Sequence, residues 1–104
     1  MVKDIFLRNI KKKVTKMYPS AKIFLYGSRV RGDNRDDSDW DLLILIEENI
    51  SEKEKLKIHH KIYEIELEND QIISSIVHTK REWFNPIMKI SPFFKNVTKE
   101  GLLL

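Results

Sequence analysis

At 104 residues, with 41% hydrophobic and 34% charged side chains, the chain has the make-up of an ordinary globular domain and not of a disordered segment. It holds no cysteine, which excludes disulfides and thiolate metal sites and agrees with a reducing, cytoplasmic compartment; no apolar run approaches the ~20 residues of a membrane span, and the first residues lack the small-residue cleavage pattern of a secretory signal. The formal charge of +3 is a poor argument for nucleic-acid binding, because 16 acidic residues are interspersed among the 19 basic ones and the central loop is itself acidic.

From residue 4 to residue 18, Phe6, Leu7, Ile10, Val14, Met17 and Tyr18 fall on one arc of a helical wheel, with Lys11, Lys12, Lys13 and Lys16 mostly elsewhere. This predicts an amphipathic helix with a solvated lysine face. Pro19 ends it, because a proline disfavours the helical conformation of the residue before it. Residues 21–26 are nearly all apolar and predict a short central strand covered on both faces.

A helical turn is expected over 27–31. Gly27 lets the backbone come close to a phosphate, and Ser28 can donate its hydroxyl to one. Taken singly, the same two residues read as a tight-turn glycine and a helix N-cap. Arg29 and Arg31 can brace phosphate oxygens or clamp Asp33, Asp36 or Asp37, and the structural role suits Arg29 better. The polar stretch 32–37 is a surface loop in which those three aspartates are expected to be solvated.

Residues 40–46 predict a buried strand that opens on Asp39 and Asp41. On a strand both carboxylates leave the same face, their Cα atoms roughly 6.5 Å apart. Two carboxylates about 5 Å apart repel by roughly 3 kcal/mol at an effective dielectric of 20, and a divalent cation between them reverses the sign. Magnesium suits such a pair, since it takes a few carboxylates together with phosphate oxygens and water.

Ser51 and Glu54 have the form of a capping box and open a helix over 52–69. Leu56, Ile58, Ile62, Tyr63, Ile65 and Leu67 spread over a broad apolar arc with Lys57, Lys61 and Glu64 opposite. Glu66 and His59 fall within that arc, His59 as a packed or hydrogen-bonded core residue; His60 and His78 belong to no motif. Residues 70–78 predict a third strand with Ser74 and Ser75 near its middle. A helical turn over 80–85 is stopped by Pro86, and Ser91-Pro92 opens a last helix that ends near Gly101. Phe93, Phe94 and Val97 are expected to pack that helix on the sheet, or Trp83, Phe84, Phe93 and Phe94 to present an apolar patch to a partner. Leu102, Leu103 and Leu104 would be costly to leave in water, which predicts a docked tail or a homo-oligomer contact.

Gly27-Ser28, ten intervening residues, then Asp39-x-Asp41 running into an apolar strand resembles the signature of the DNA polymerase β-type nucleotidyltransferase superfamily. Arg31-Gly32, Ser38-Asp39 and the short chain resemble its smallest branch, the minimal nucleotidyltransferases. The resemblance implies one domain over 1–104 with an α/β (α+β) fold, a small mixed sheet of three to four strands with helices packed mainly on one side. It implies catalytic Asp39 and Asp41 holding Mg2+, and Gly27 and Ser28 holding the phosphates of a nucleoside triphosphate, ATP before others. Arg31 would neutralise developing charge while a nucleoside monophosphate passes to a hydroxyl of a protein or RNA acceptor. It also implies a small helical partner of the HEPN type in a toxin–antitoxin pair.

Active members of the superfamily add a third carboxylate from the neighbouring strand. By its offset to Thr79 and Glu82-Trp83, Ser74 stands at that position. A hydroxyl cannot replace a carboxylate as a base at neutral pH. Two readings therefore stay open: a transferase in which Glu66, Asp70 or an acid of a partner fills the gap, and a nucleotide-binding or antitoxin module that acts by contact alone.

Overall fold

The strand Trp40–Ile46 is buried along nearly its whole length because it lies inside a four-stranded sheet of order β3-β2-β1-β4. The computed structural model describes residues 2–33, 35 and 38–104, so the expected solvation of Asp36 and Asp37 lies outside the described residues. In chain order the elements are α1 (Val2–Met17), β1 (Lys22–Tyr26), α2 (Ser28–Arg31), β2 (Trp40–Ile46), α3 (Glu52–Asn69), β3 (Ile73–Thr79), α4 (Lys80–Trp83), α5 (Pro86–Lys89), α6 (Pro92–Glu100) and β4 (Leu102–Leu103). β2 pairs antiparallel with β1 and parallel with β3, with α3 as the crossover; β4 pairs antiparallel with the outer edge of β1.

The period of two divides β2 between two cores. Trp40, Leu42, Ile44 and Ile46 meet Phe6, Ile10 and Val14 of α1 and Ile58, Ile62 and Ile65 of α3. Leu43 and Leu45 face the other way, onto Trp83, Val97, Phe93 and Phe94 of the short C-terminal helices. The mixed sheet and α/β (α+β) class are as expected. Both long helices lie on one face, and the three short C-terminal helices cover part of the other. β1 follows the same division, Ile23 and Leu25 buried and Phe24 and Tyr26 partly so.

Ser51 caps α3 as expected, accepting the Glu54 amide while the Glu54 carboxylate accepts the Ser51 amide. The broad apolar arc is narrower in the fold. A straight helix offers a flat sheet one stripe, so Ile58, Ile62 and Ile65 are buried while Leu56, Tyr63 and Leu67 remain more than half exposed. Lys55 is buried beside that stripe, its Nζ 2.8 and 2.9 Å from the two Glu82 oxygens and 3.2 Å from Glu52. This bond and the Thr79 amide hold the Glu82 carboxyl down to about 2, tying α3 to the start of α4.

α5 was not expected. Pro86 does not only stop the preceding turn: Asn85 accepts the Ile87 amide as an N-cap and Pro86 starts a new helix, the same device that Ser91-Pro92 uses for α6. Trp83, Phe93 and Phe94 are packed together, so of the apolar patch considered from the sequence Phe84, at 47% exposed, is the member left open. The last leucines dock through their backbone. Leu102 and Leu103 pair with Leu25 and Phe24, and the Leu104 amide donates to Ile23 at 2.9 Å. Among the described residues no helix is long and apolar enough to cross a membrane.

Candidate functional site

Asp41 stands in register between Tyr26 of β1 and Ser74 of β3, so the three side chains leave one face of the sheet in a row. That face is the one covered further along by Trp83 and α6. Asp39, two residues earlier, has the same parity and is exposed. Burial raises the Asp41 carboxyl above the usual carboxylate range, the Asp39 charge raises it further, and Arg31 opposes both. Burial and the same Asp41 charge push the Tyr26 phenol up to about 12. At Asp41, burial and the Asp39 charge together outweigh Arg31.

Gly27 closes the other side. It caps α2 with φ 81° and ψ −157°, a backbone region essentially restricted to glycine. It also touches Asp41: a Cβ built on Gly27 would overlap Asp41 Oδ2. The turn that ends β1 thus lies directly against the carboxylate that opens β2. Ser28, half-buried, is the first residue of the helical turn, and its carbonyl accepts the Gly32 amide at 2.9 Å.

Arg31 reaches Asp33 Oδ2 at 3.3 Å and Glu100 Oε1 at 3.2 Å, and hydrogen bonding to Asp33, followed by Glu100, raises its already high pKa further. The same Glu100 oxygen accepts the Gly27 amide at 3.2 Å. One carboxylate oxygen from the end of α6 thus rests on the backbone N–H and the guanidinium that the sequence reading gives to a phosphate. Nothing local pointed to Glu100, which is 73 residues from Gly27 in the chain. Arg29 takes the structural role. Its guanidinium lies 3.9 Å over the Trp40 ring and its Nε and Nη2 donate to the Ser38 carbonyl at 3.2 and 2.7 Å, fixing the approach to Asp39.

Glu66 and Asp70 do not join this group. They line a depression on the α3 side with Tyr63, Leu67 and Ile72. Among the described residues no set of three or more His, Cys, Asp or Glu side chains is placed to hold a metal. Ser74, exposed, occupies the position beside Asp41. Ser75 points to other work, its hydroxyl 2.8 Å from His59 Nδ1, and burial, with Lys55 nearby, lowers the His59 pKa. His59 is a hydrogen-bonded packing residue.

The oxygen donors of Asp39 and Asp41 would suit one hard cation, with its remaining positions left to phosphate oxygens and water. They do not by themselves make a two-ion centre.

Three likenesses accompany this geometry. Residues 7–104 match the family described as nucleotidyltransferase domain. Over 59 residues, 57% of this chain, the sequence is 41% identical to a candidate protein adenylyltransferase of Methanocaldococcus jannaschii, and the chain spans about 60% of the length of that curated relative. A crystal structure of a toxin–antitoxin with AMP-PNP shares the fold, with a TM-score of 0.59 at 16% identity over 91% of this chain and 69% of that one.

Proposed function

Because this chain belongs to the nucleotidyltransferase-domain family, we propose that it binds a magnesium–nucleoside triphosphate, ATP before others, and transfers the nucleoside monophosphate to a hydroxyl of a protein. The observation that carries this reading is the contact of Gly27 with Asp41, which sets a backbone amide and a guanidinium suited to an anion directly against a carboxylate pair suited to a cation. The 41% identity to a candidate protein adenylyltransferase supports ATP and a protein acceptor. The toxin–antitoxin neighbour with AMP-PNP supports nucleotide binding and a toxin as partner; we take that partner, of the HEPN type by the sequence resemblance, as the acceptor, in the cytoplasm.

In this mechanism the Gly27 amide, the Ser28 hydroxyl and Arg31 hold the β and γ phosphates, and Asp39 and Asp41 hold the magnesium. Magnesium held there would supply positive charge to the phosphates. The acceptor oxygen forms a bond to the α phosphorus; the bond from that phosphorus to the bridging oxygen breaks, and pyrophosphate leaves with the electron pair. The hydroxyl proton has no carboxylate at Ser74 to receive it, so it leaves to water or to an acid of the partner, and the reaction is slow.

Ser74 also motivates a second reading, a module of the same fold that neutralises a toxin by contact without transfer. Transfer of label from α-labelled ATP to the partner protein separates the two. The wild type is expected to label the partner slowly, and Ser74→Asp to raise the rate about a hundredfold, the low end of general-base contributions. Absence of label from both would favour the contact module.

Glu100 supplies a separate check. Its carboxylate competes with a phosphate for Gly27 and Arg31, so Glu100→Gln should tighten ATP binding about threefold to tenfold in a calorimetric titration. Weaker binding would mean that Glu100 orders the turn for the nucleotide instead of standing in its place.

A further inference from the structure

The row of Tyr26, Asp41 and Ser74 across β1, β2 and β3 has a direction. At its β1 end, next to Tyr26, is the seat read for the β and γ phosphates, where the Gly27 amide and Arg31 meet on one Glu100 oxygen. In the middle is Asp41, read for the cation and in contact with Gly27. At the β3 end is a hydroxyl, that of the exposed Ser74.

Transfer of a nucleotidyl group constrains where the attacking hydroxyl stands. The attacking and leaving oxygens lie roughly in line through the phosphorus that passes between them. With pyrophosphate leaving toward Gly27 and Arg31, on the β1 side, attack comes from the β3 side. Strand neighbours stand about 4.8 Å apart, so a phosphoryl group seated over Asp41 lies about one strand spacing from Ser74, and attack needs about 3–3.5 Å. The other hydroxyls near the site differ in side or direction. Tyr26 is partly buried and stands at the leaving-group end of the row. Ser28 belongs to the phosphate turn itself. The Ser38 hydroxyl accepts the Arg35 amide at 2.8 Å in the loop before Asp39. Ser75 leaves the opposite face of β3, toward His59 of α3.

We propose, resting on the nucleotide reading above, that Ser74 is a modification site: the acceptor that this chain offers to its own bound nucleotide when no partner hydroxyl is in place. Ser74 Oγ forms a bond to the α phosphorus, and the bond from that phosphorus to the bridging oxygen breaks. Pyrophosphate leaves with the electron pair, and the hydroxyl proton passes to water. Transfer is slow, because the carboxylates beside Ser74 are committed to the cation and a serine hydroxyl is a weak nucleophile without a base. The product carries its nucleotidyl group within the site and so closes it to a second nucleotide.

The test is incubation of the purified chain with ATP and magnesium, without a partner, followed by intact-mass measurement and peptide mapping. The wild type is expected to gain the mass of one nucleoside monophosphate at Ser74, with a first-order rate constant independent of protein concentration. Ser74→Ala should stay unmodified, as should Asp39→Asn combined with Asp41→Asn. Calorimetric titration supplies a second readout. Ser74→Ala, at an exposed position, should bind magnesium–ATP within about twofold of the wild type, whereas the separated adduct should bind it about tenfold more weakly or less. Binding of magnesium–ATP by the wild type without an adduct would overturn the self-acceptor and leave the nucleotide reading standing; no binding would remove both. An adduct on another residue, or a rate constant that rises with protein concentration, would also overturn it.

Discussion

Asp39→Asn combined with Asp41→Asn is expected to abolish magnesium-dependent nucleotide binding and to lower transfer roughly a thousandfold or more, about 4 kcal/mol of lost transition-state stabilisation. The fold should survive. The Asp41 pKa is raised in the fold, first by burial and then by Asp39, so the ionised form works against folding above the unfolded pKa, and protonation relieves it as pH falls through the folded value. Asparagine at both positions removes that penalty at neutral pH, so the thermal midpoint should stay level or rise. Lost binding with a retained midpoint is the expected pair of results. Unchanged binding would remove the carboxylates from the site, and a collapsed midpoint would make them structural.

The second large effect belongs to Gly27→Ala. Alanine must adopt φ near 81° with ψ near −157°, at a cost of about 1–3 kcal/mol. Its methyl group would also overlap Asp41 Oδ2, and overpacking of this kind costs typically another 1–3 kcal/mol. Relief comes by moving either the turn that carries the anion-binding amide or the carboxylate. A urea midpoint lowered to match and nucleotide binding lost together are therefore expected. An alanine variant that keeps both would contradict the close approach on which the site is built.

Much of this geometry was legible because it is local. The apolar run of β2 and its leading aspartates gave strand, burial and shared face from a period of two, and Gly27 marked the turn that must come close to something. The register Asp41↔Ser74 then accounts for why the serine strand matters: parallel pairing puts Ser74 beside Asp41, and not Glu66 or Asp70, which the α3 crossover carries to the other side. What was not legible depends on tertiary approach. Glu100 reaches Gly27 only because α6 returns across the sheet, and no spacing in the chain encodes that. The exposure of Leu56, Tyr63 and Leu67 was hidden for a related reason. An apolar arc on a wheel does not say how much of it a flat sheet can cover. Pro86 misled more simply, since a proline that ends one helical turn also begins the next when an asparagine precedes it.

The most direct measurement is a calorimetric titration of ATP into the 104-residue chain, once with magnesium and once with EDTA. The joined anion and cation seats predict one binding event that needs magnesium, disappears with EDTA and is absent from the Asp39→Asn, Asp41→Asn variant. Binding of equal strength in EDTA or in that variant, or no binding with magnesium present, would contradict the account.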